Sequence, residues 1–342
     1  MEPTAQGYRW MNNAISKLDP EKDYETIWRI MTGYKANDFM NNLIYALTFP
    51  NFVVTENGAR AVWREDGGKV LNKAILREEE TDHTNATWWY YGPSDERCVK
   101  AISKINDLHA RWAKVYPGDF SDNTDYIYTL AFSAVLMHRL RERMHLSGFS
   151  EKEKIAAHHF WRDMSYHFLA ENGKPLHGYP EDWDGLISYC EAFENTPREG
   201  TERGHLIAET IYESFAFRFF PPSLRWLGKS MPIALSLPTT LQAHKIKPIN
   251  PILKAIIVFF VACFFWIGEN VMPDPKVAFW PTIEGMSAEE LRARKIGITK
   301  IDKEYAPYFA SKHATANQWA GCPYHEAMRK VAPASFGDEK KV

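Results

Sequence analysis

Apolar residues recur at spacings of three and four along much of this chain, and this period is typical of amphipathic helices. The clearest case is residues 95–115, whose apolar stripe consists of Val99, Ile102, Ile105, Leu108, Trp112 and Val115. His109 falls on the same stripe, with apolar neighbours on both sides. A histidine on an apolar face is either a core residue with a hydrogen-bond partner or a residue that holds a ligand.

The same pattern predicts further helices at 22–34, 37–48, 182–194, 203–217, 222–230 and 252–270. Another helix is expected to start near Asp122 or Asn123, both good N-cap residues. Ser150 and Glu153 have the spacing of a capping box and open the helix after that. A polar, glycine-containing stretch at 55–69 predicts a connection rather than a helix.

This order of elements predicts an all-α fold. We expect one compact helical domain over residues 1–285, because no repeat or low-complexity linker divides it. From about residue 286 the chain becomes charged and less periodic. We therefore expect a charged, loosely packed C-terminal tail over 286–342.

Composition narrows the class of protein. The chain has 342 residues, of which 45% are hydrophobic, and a formal net charge of -2, so no basic field predicts a nucleic-acid partner. The four cysteines are far apart and form no CxxC pair, which indicates neither a zinc site nor a disulfide framework. The first residues lack the pattern of a secretory signal. An intracellular, reducing compartment is the expectation.

An uninterrupted apolar run covers 255–268 and is bracketed by Lys254 and Glu269. Its 14 residues fall short of the roughly 20 that span a bilayer. A buried core helix is the favoured interpretation. The alternative is a lipid-facing segment that gives peripheral membrane contact, which Trp266 near one end supports.

Several common site motifs are absent from the sequence, namely GxGxxG, GxxxxGK[ST], HExxH and GxSxG. Histidines remain as the chemical signal, and the apolar middle region holds His109, His138, His158, His159 and His167. For any one of them a satisfied core residue is the better interpretation. For the group, a bound metal or haem becomes a hypothesis, because neutral imidazole is a common metal ligand.

Two E-x-x-H pairs, Glu142 with His145 and Glu202 with His205, suggest an alternative. On a helix each pair shares a face, and di-iron bundles use such pairs to bind metal. Both pairs lie in polar sequence, so a chance match at the surface is the simpler interpretation. Aromatic clusters could be core or could line a pocket for a long apolar substrate; they occur at 88–91, 214–220 and 264–266.

The order of several motifs resembles the MpaB family of fungal ER-bound oxygenases and its bacterial relatives, the rubber oxygenases or latex-clearing proteins. The resemblance rests on the segments 108-LHARW-112, 125-DYIYTL-130, 160-FWR-162, the Arg77-x-x-x-Thr81 spacing, and the proline-containing segment 216–228. Together they cover roughly 38–275. Glu80 is a departure, because the rubber oxygenases have a lysine before the equivalent threonine.

The resemblance implies a b-type haem held in a pocket between central helices. By this resemblance His109 would be the iron ligand, and Arg77 and Thr81 would be catalytic and cofactor-binding residues on the opposite, oxygen side. Arg111 and Trp161 belong to the matched motifs and are further cofactor-binding candidates. The carboxylate that acts as base is not placed, with Glu65 as one candidate.

The resemblance also implies the reaction. Its members oxidatively cleave a C=C bond of a prenyl or isoprenoid chain, so a lipophilic alkene and dioxygen are the expected partners, in secondary metabolism. The expected location is the ER membrane or the cytoplasm. Two alternatives stay open: a non-haem di-iron oxygenase, and a catalytically inactive, membrane-associated helical protein.

Overall fold

A computed structural model describes residues 7–64 and 67–313. Within these residues the predicted all-α fold is confirmed. The helices are α1 Trp10–Lys17, α2 Tyr24–Thr32, α3 Asp38–Phe52, α4 Glu56–Trp63, α5 Gly68–Asn72, α6 Ala74–Tyr91, α7 Glu96–Ala113, α8 Asn123–Arg143, α9 Glu151–Ser165, α10 Trp183–Asn195, α11 Glu202–Phe219, α12 Arg225–Leu235, α13 Pro238–Ala243, α14 Pro251–Asn270, α15 Phe279–Glu284 and α16 Ala288–His313. A short antiparallel pair, β1 Leu169–Ala170 and β2 Lys174–Pro175, follows α9.

Two predicted helix starts agree with the structure. Asp122 caps α8, because its side chain accepts a hydrogen bond from the backbone N–H of Thr124 at 2.8 Å. Ser150 and Glu153 form the predicted capping box at the start of α9. Local side-chain chemistry therefore sets the beginnings of two helices that border the cavity described below.

The stretch 55–69 differs from the predicted connection. Thr55 caps α4, which covers most of it, and α5 begins at its end. Ala59 and Trp63 lie four residues apart and are both buried, which gives α4 one apolar face despite its polar composition. Tertiary packing of that face against α11 outweighs the weak helix propensity of the sequence.

Helix α11 runs through the middle of the fold and packs against α3, α4, α12 and α16. Its buried positions occupy nearly the whole circumference from Leu206 to Ala216, as expected for a helix surrounded by others. Helix α8 forms a second centre, packed against α3, α9 and α10. Residues of α3 and α8 line the cavity described below, whereas no residue of α11 does.

Residues 288–313 differ from the expected loose tail. They form α16, which packs against α6 and α11 and buries Tyr305 and Phe309 completely. The carboxylate of Asp302 accepts hydrogen bonds from the backbone N–H groups of Ile75 at 2.8 Å and Leu76 at 3.1 Å. Most of the charged residues of α16 are exposed, and their number makes the apolar face hard to recognise in the sequence. Residues 314–342, the rest of the expected tail, lie outside the described residues.

Helix α6 also carries buried carboxyl groups. Burial raises the pKa of Glu78 and of Asp82 to about 8, so both hold a proton near neutral pH. Asp82 accepts a hydrogen bond from the Asn42 amide at 3.0 Å, and Ser214 donates to Glu78. These contacts join α6 to α3 and α11 through polar groups rather than apolar ones.

The interpretation of 255–268 as a buried core helix is wrong. By length and composition α14 could cross a membrane, with a mean hydropathy of 2.3, yet only 11% of that window is buried. One face packs against the core through Ile257 and Val261. Most of the remaining circumference is exposed and carries Ile252, Ile256, Phe259, Phe260, Phe264, Trp266 and Ile267.

Candidate ligand cavity and its histidine

A cavity of about 1170 Å³ lies between α3, α6, α7 and α8 and extends to the C-terminal part of α14. Its walls are mainly apolar and aromatic. The apolar lining residues include Trp28, Phe49, Phe52, Trp88, Trp89, Ile105, Leu130, Met137, Trp161 and Phe168. Large apolar cavities with a few polar groups are the usual form of small-molecule sites.

His109 lines this cavity from α7. Its Nδ1 lies 3.2 Å from the hydroxyl of Tyr126, and its ring lies 4.9 Å from the ring of Phe120. Burial lowers the pKa of His109 to about 4, so the imidazole is neutral near pH 7. Its Nε2 makes no hydrogen bond to any residue that the structure describes. One ring nitrogen is thus fixed by the protein and the other is available to a ligand.

The two residues of the Arg-x-x-x-Thr element lie at different depths. Thr81 lines the cavity, and its hydroxyl donates to the backbone carbonyl of Arg77 at 3.0 Å. Arg77 does not line the cavity. Its guanidinium donates to the Tyr45 hydroxyl and lies 4.1 Å from the centre of the Phe49 ring, and both of these side chains form the cavity wall. Arg77 is therefore one layer behind the wall, where burial lowers its pKa to about 10.

The other two cofactor-binding candidates, Trp161 and Arg111, also occupy different positions relative to the cavity. Trp161 is buried and lines the cavity, with its ring edge-on to Trp28 at 5.9 Å. Arg111 is exposed and does not line the cavity. It follows His109 by two positions on α7, which is a rotation of about 200° around the helix. The side chain of Arg111 therefore leaves the opposite face of α7, and the structure does not bring it together with His109.

Two carboxylates on the cavity wall were not singled out from the sequence. Asp125 accepts a hydrogen bond from the Thr55 hydroxyl at 3.0 Å, and burial, reinforced by Asp122, raises its pKa to about 6. Asp119 is held by Arg60, whose Nε lies 2.8 Å from Asp119 Oδ2. Asp125 is the first residue of the DYIYTL segment, so the resemblance contained this signal. Glu65, the candidate base, lies outside the described residues.

Three of the other four histidines of the middle region have ordinary structural partners. His158 and His167 each place Nε2 at 2.9 Å from a backbone carbonyl, of Pro180 and Pro93 respectively. His138 Nδ1 accepts from the backbone N–H of Phe149 at 2.8 Å. None of these three lines the cavity. The interpretation as satisfied structural histidines therefore fits them, and His109 is different.

The structure does not bring the two E-x-x-H pairs together as a di-iron site. His145 is exposed, lies beyond the end of α8 and has a φ of 59°, so it does not share a helix face with Glu142. Glu202 is exposed, and His205 Nδ1 lies 2.6 Å from the carbonyl of His244. The helical geometry that the pattern requires is thus missing for the first pair.

Over 7–64 and 67–313, one cluster has three side chains close enough to share a metal: Glu209, Glu213 and His313. Lys229 already binds both glutamates, with its Nζ 2.9 Å from Glu213 Oε1. His313 and Lys229 lower the pKa of Glu213 to about 2 against the effect of burial, and Lys312 lies 3.3 Å from the same carboxylate. The cluster is an ion-pair network that joins α11, α12 and α16.

The residues around His109 fit a haem. An axial histidine needs a neutral imidazole, a free ring nitrogen directed by a bond at the other, and an apolar space large enough for a macrocycle. His109, Tyr126 and the 1170 Å³ cavity meet these conditions. Neither a scan against protein-family models nor a search of curated proteins found a match to this chain.

Proposed function

We propose that this chain is a haem-dependent oxygenase that acts on a lipophilic alkene, with a prenyl or isoprenoid chain as the substrate class. One observation carries the proposal: His109 presents a neutral imidazole, anchored through Nδ1 by Tyr126, on the wall of a large apolar cavity. The resemblance in motif order supports the same cofactor and reaction. The bound haem would supply activation of dioxygen, which protein side chains alone do not provide.

His109 would hold the haem iron through Nε2. The Tyr126 hydroxyl would fix the plane and the tautomer of the imidazole through Nδ1, as outer partners of metal-bound histidines commonly do. Phe120 packs beside the ring and limits its rotation. These three residues belong to α7, the following connection and α8, so the ligand would be positioned by two rigid helices.

The cavity walls would orient the alkene and exclude water. Aromatic side chains from α2, α6 and α9 form a continuous apolar lining that suits an isoprenoid chain rather than a polar substrate. Asp125 would hold or release a proton close to pH 6, because its carboxyl group is buried in this wall. It is the carboxylate that we assign to proton transfer.

Thr81 and Arg77 would contribute in different ways. The Thr81 hydroxyl must rotate away from the Arg77 carbonyl before it can donate a hydrogen bond into the cavity. Arg77 would act through Tyr45, whose hydroxyl it holds at the cavity wall, and is therefore a positioning residue. We expect Tyr45→Phe and Arg77→Ala to retain haem and to lose most turnover.

Membrane association is part of the proposal. The exposed apolar face of α14 and the resemblance to ER-bound enzymes support an intracellular location at a membrane, in preference to the cytoplasm. A lipophilic substrate would be concentrated there.

The test is an absorption spectrum of the full chain purified from haem-supplemented cells, with total iron measured on the same sample. A Soret band with about one iron per chain supports the proposal, and oxygen uptake with prenylated alkenes then tests the reaction. Two irons per chain without a Soret band would replace it with the di-iron alternative. Neither haem nor iron would contradict it and leave a non-catalytic, membrane-associated protein.

A further inference from the structure

Helix α14 has two faces of different exposure but similar chemistry. Ile257, Val261 and Phe265 pack against the core, whereas Phe259 and Phe260 on the other side are 62% and 66% exposed. A helix face that meets water is normally polar. Here the exposed face is a continuous apolar strip about 30 Å long, as calculated for 20 residues at 1.5 Å each. Strips of this size mark an interaction surface.

The fold argues against a membrane crossing by α14. The segment before it returns to the core, where Leu241 and Ile246 are buried. The segment after it is also held by the same domain. The backbone N–H of Asp274 donates to the Tyr8 carbonyl at 2.9 Å, and that of Phe279 donates to the Gly33 carbonyl at 2.9 Å. Both ends of α14 are therefore attached to the same domain. A helix that crossed the membrane would place the segments before and after it on opposite sides of the bilayer.

Charge around α14 favours a lipid surface. Four exposed lysines lie in the first turn of the helix or in the segments next to it, and none makes an ion pair within the part of the chain that the structure describes: Lys245, Lys247, Lys254 and Lys276. The nearby acids are already neutralised, since Glu269 pairs with Arg141 and with Lys35, and Asp274 pairs with Arg9. The surface is thus basic around an apolar strip, which suits phosphate headgroups above acyl chains.

The cavity reaches the surface at the same place. Phe264, Trp266, Ile267 and Met272 are each more than 40% exposed and also line the cavity. The ion pairs of Glu269 and Asp274 lie on this rim as well. The cavity that holds His109 therefore has its mouth beside the apolar strip, and the two features share side chains.

We propose that α14 lies flat in one leaflet of a membrane and that the cavity mouth beside it opens to the acyl chains. A lipophilic ligand would then pass from the bilayer into the cavity without crossing water. The identity of that ligand rests on the proposed function, whereas the placement of α14 does not. Flat helices with apolar aromatic side chains on one face and lysines around it bind membranes in this way.

The first test measures binding of the haem-free full chain to vesicles of phosphatidylcholine and phosphatidylserine. Ile256→Glu/Phe260→Glu should weaken binding by at least ~100-fold, because two large apolar side chains no longer enter the leaflet. Ile296→Glu is the matched control, since Ile296 is 61% exposed on α16, outside this surface. Each of Lys247→Glu and Lys254→Glu should cost about fivefold, and only with phosphatidylserine present.

Unchanged binding of the double variant would overturn the proposal. So would a wild-type dimer in solution that the double variant dissociates, with no vesicle binding in either, because a second copy would then cover the strip. Haem is absent throughout, so failure here leaves the proposed haem binding and reaction standing, and a missing Soret band leaves the membrane result standing.

The second test separates a flat helix from a crossing one. The cysteines Cys263 and Cys322 are first replaced by serine. Gln242→Cys then places an exposed thiol before α14 in the sequence, and Lys276→Cys places one after it. Both should react with a membrane-impermeant maleimide added outside the vesicles. Protection of one of them would show a crossing and contradict the proposal.

A nitroxide attached at Met272→Cys tests whether the cavity mouth lies in the membrane. On vesicle binding, its collisions with oxygen should rise and those with a water-soluble nickel complex should fall, whereas a nitroxide at Ile296→Cys should change little. A nitroxide at 272 that stays accessible to nickel would place the mouth in water.

Discussion

The hydroxyl of Tyr126 lies 3.2 Å from Nδ1 of His109, and this contact joins the first turn of α8 to the last part of α7. Both residues line the same cavity. The bond uses Nδ1 and leaves Nε2 without a hydrogen bond to any residue that the structure describes. His109 combines burial, neutrality and one free nitrogen on the cavity wall, and the first predictions test that combination.

His109→Ala should abolish the Soret band of protein produced with excess haem, because no other histidine of the described residues lines the cavity. The matched control is Arg111→Ala on the same helix, which should bind haem normally because Arg111 is exposed. Circular dichroism checks that both variants fold. Full haem content in folded His109→Ala would show that the ligand is a different residue.

Tyr126→Phe should keep haem but bind it about 10- to 100-fold more weakly, the usual effect of removing an outer hydrogen bond to a metal-bound histidine. Competitive transfer of haem to an acceptor protein measures the change. A Soret maximum or affinity identical to wild type would mean that the Tyr126 hydroxyl does not orient His109.

The haem-free protein should lose stability as the pH falls from 6.5 to 4. In that window an unfolded histidine takes a proton, whereas burial keeps the pKa of His109 at about 4 and the folded residue stays neutral. The stabilising contribution is thus complete above pH 6.5 and is lost as the pH approaches 4. Urea unfolding at pH 7 and pH 5 should show a smaller loss for His109→Gln, by up to ~2 kcal/mol. An equal loss in both proteins would place His109 in a solvated position.

Asp82→Asn should stabilise the protein at pH 8 by ~1–3 kcal/mol and have little effect at pH 4. The sign follows from the raised pKa of Asp82: the folded state keeps a proton up to about pH 8 that the unfolded state releases near pH 3.8. Stability from this group is therefore present at acid pH and is lost as the pH rises. Glu80→Gln, on the exposed side of α6, should change stability by less than ~1 kcal/mol. A destabilised Asp82→Asn at pH 8 would mean that this carboxylate is charged and well paired.

Phe309→Ala should destabilise the protein by ~3–5 kcal/mol, because the Phe309 side chain is fully buried between α16 and the core. Ile296→Ala on the same helix should change the free energy of unfolding by less than ~0.5 kcal/mol, since Ile296 is exposed. Chemical denaturation measures both. Similar small effects would mean that α16 is only loosely attached.

The sequence predicted what depends on local patterns. Asp122 and Ser150 begin helices because their side chains bond to backbone groups two and three residues away, which needs no knowledge of the rest of the fold. His109 stood out because the apolar stripe of α7 has a clear period. The exposed position of Arg111 follows from that same period, and the motif resemblance obscured it.

Other features depend on what surrounds an element. In α14 nearly every position is apolar, so the period cannot show which face meets the core and which does not. In α16 the opposite problem arises, because charged residues dominate and the apolar positions, such as Tyr305 and Phe309, are few. The raised pKa values of Glu78 and Asp82 come from distant helices packed around α6, which no local pattern contains.

The hydrogen bonds that the Ile75 and Leu76 N–H groups donate to Asp302 affect the order in which contacts form during synthesis. Backbone N–H groups in the first turn of α6 donate to a carboxylate that lies 227 positions after Ile75 in the sequence. When a ribosome has made α6, α7 and α8, the start of α6 still lacks its partner. These two contacts can form only after residue 302 has left the exit tunnel, when α14 has already been made.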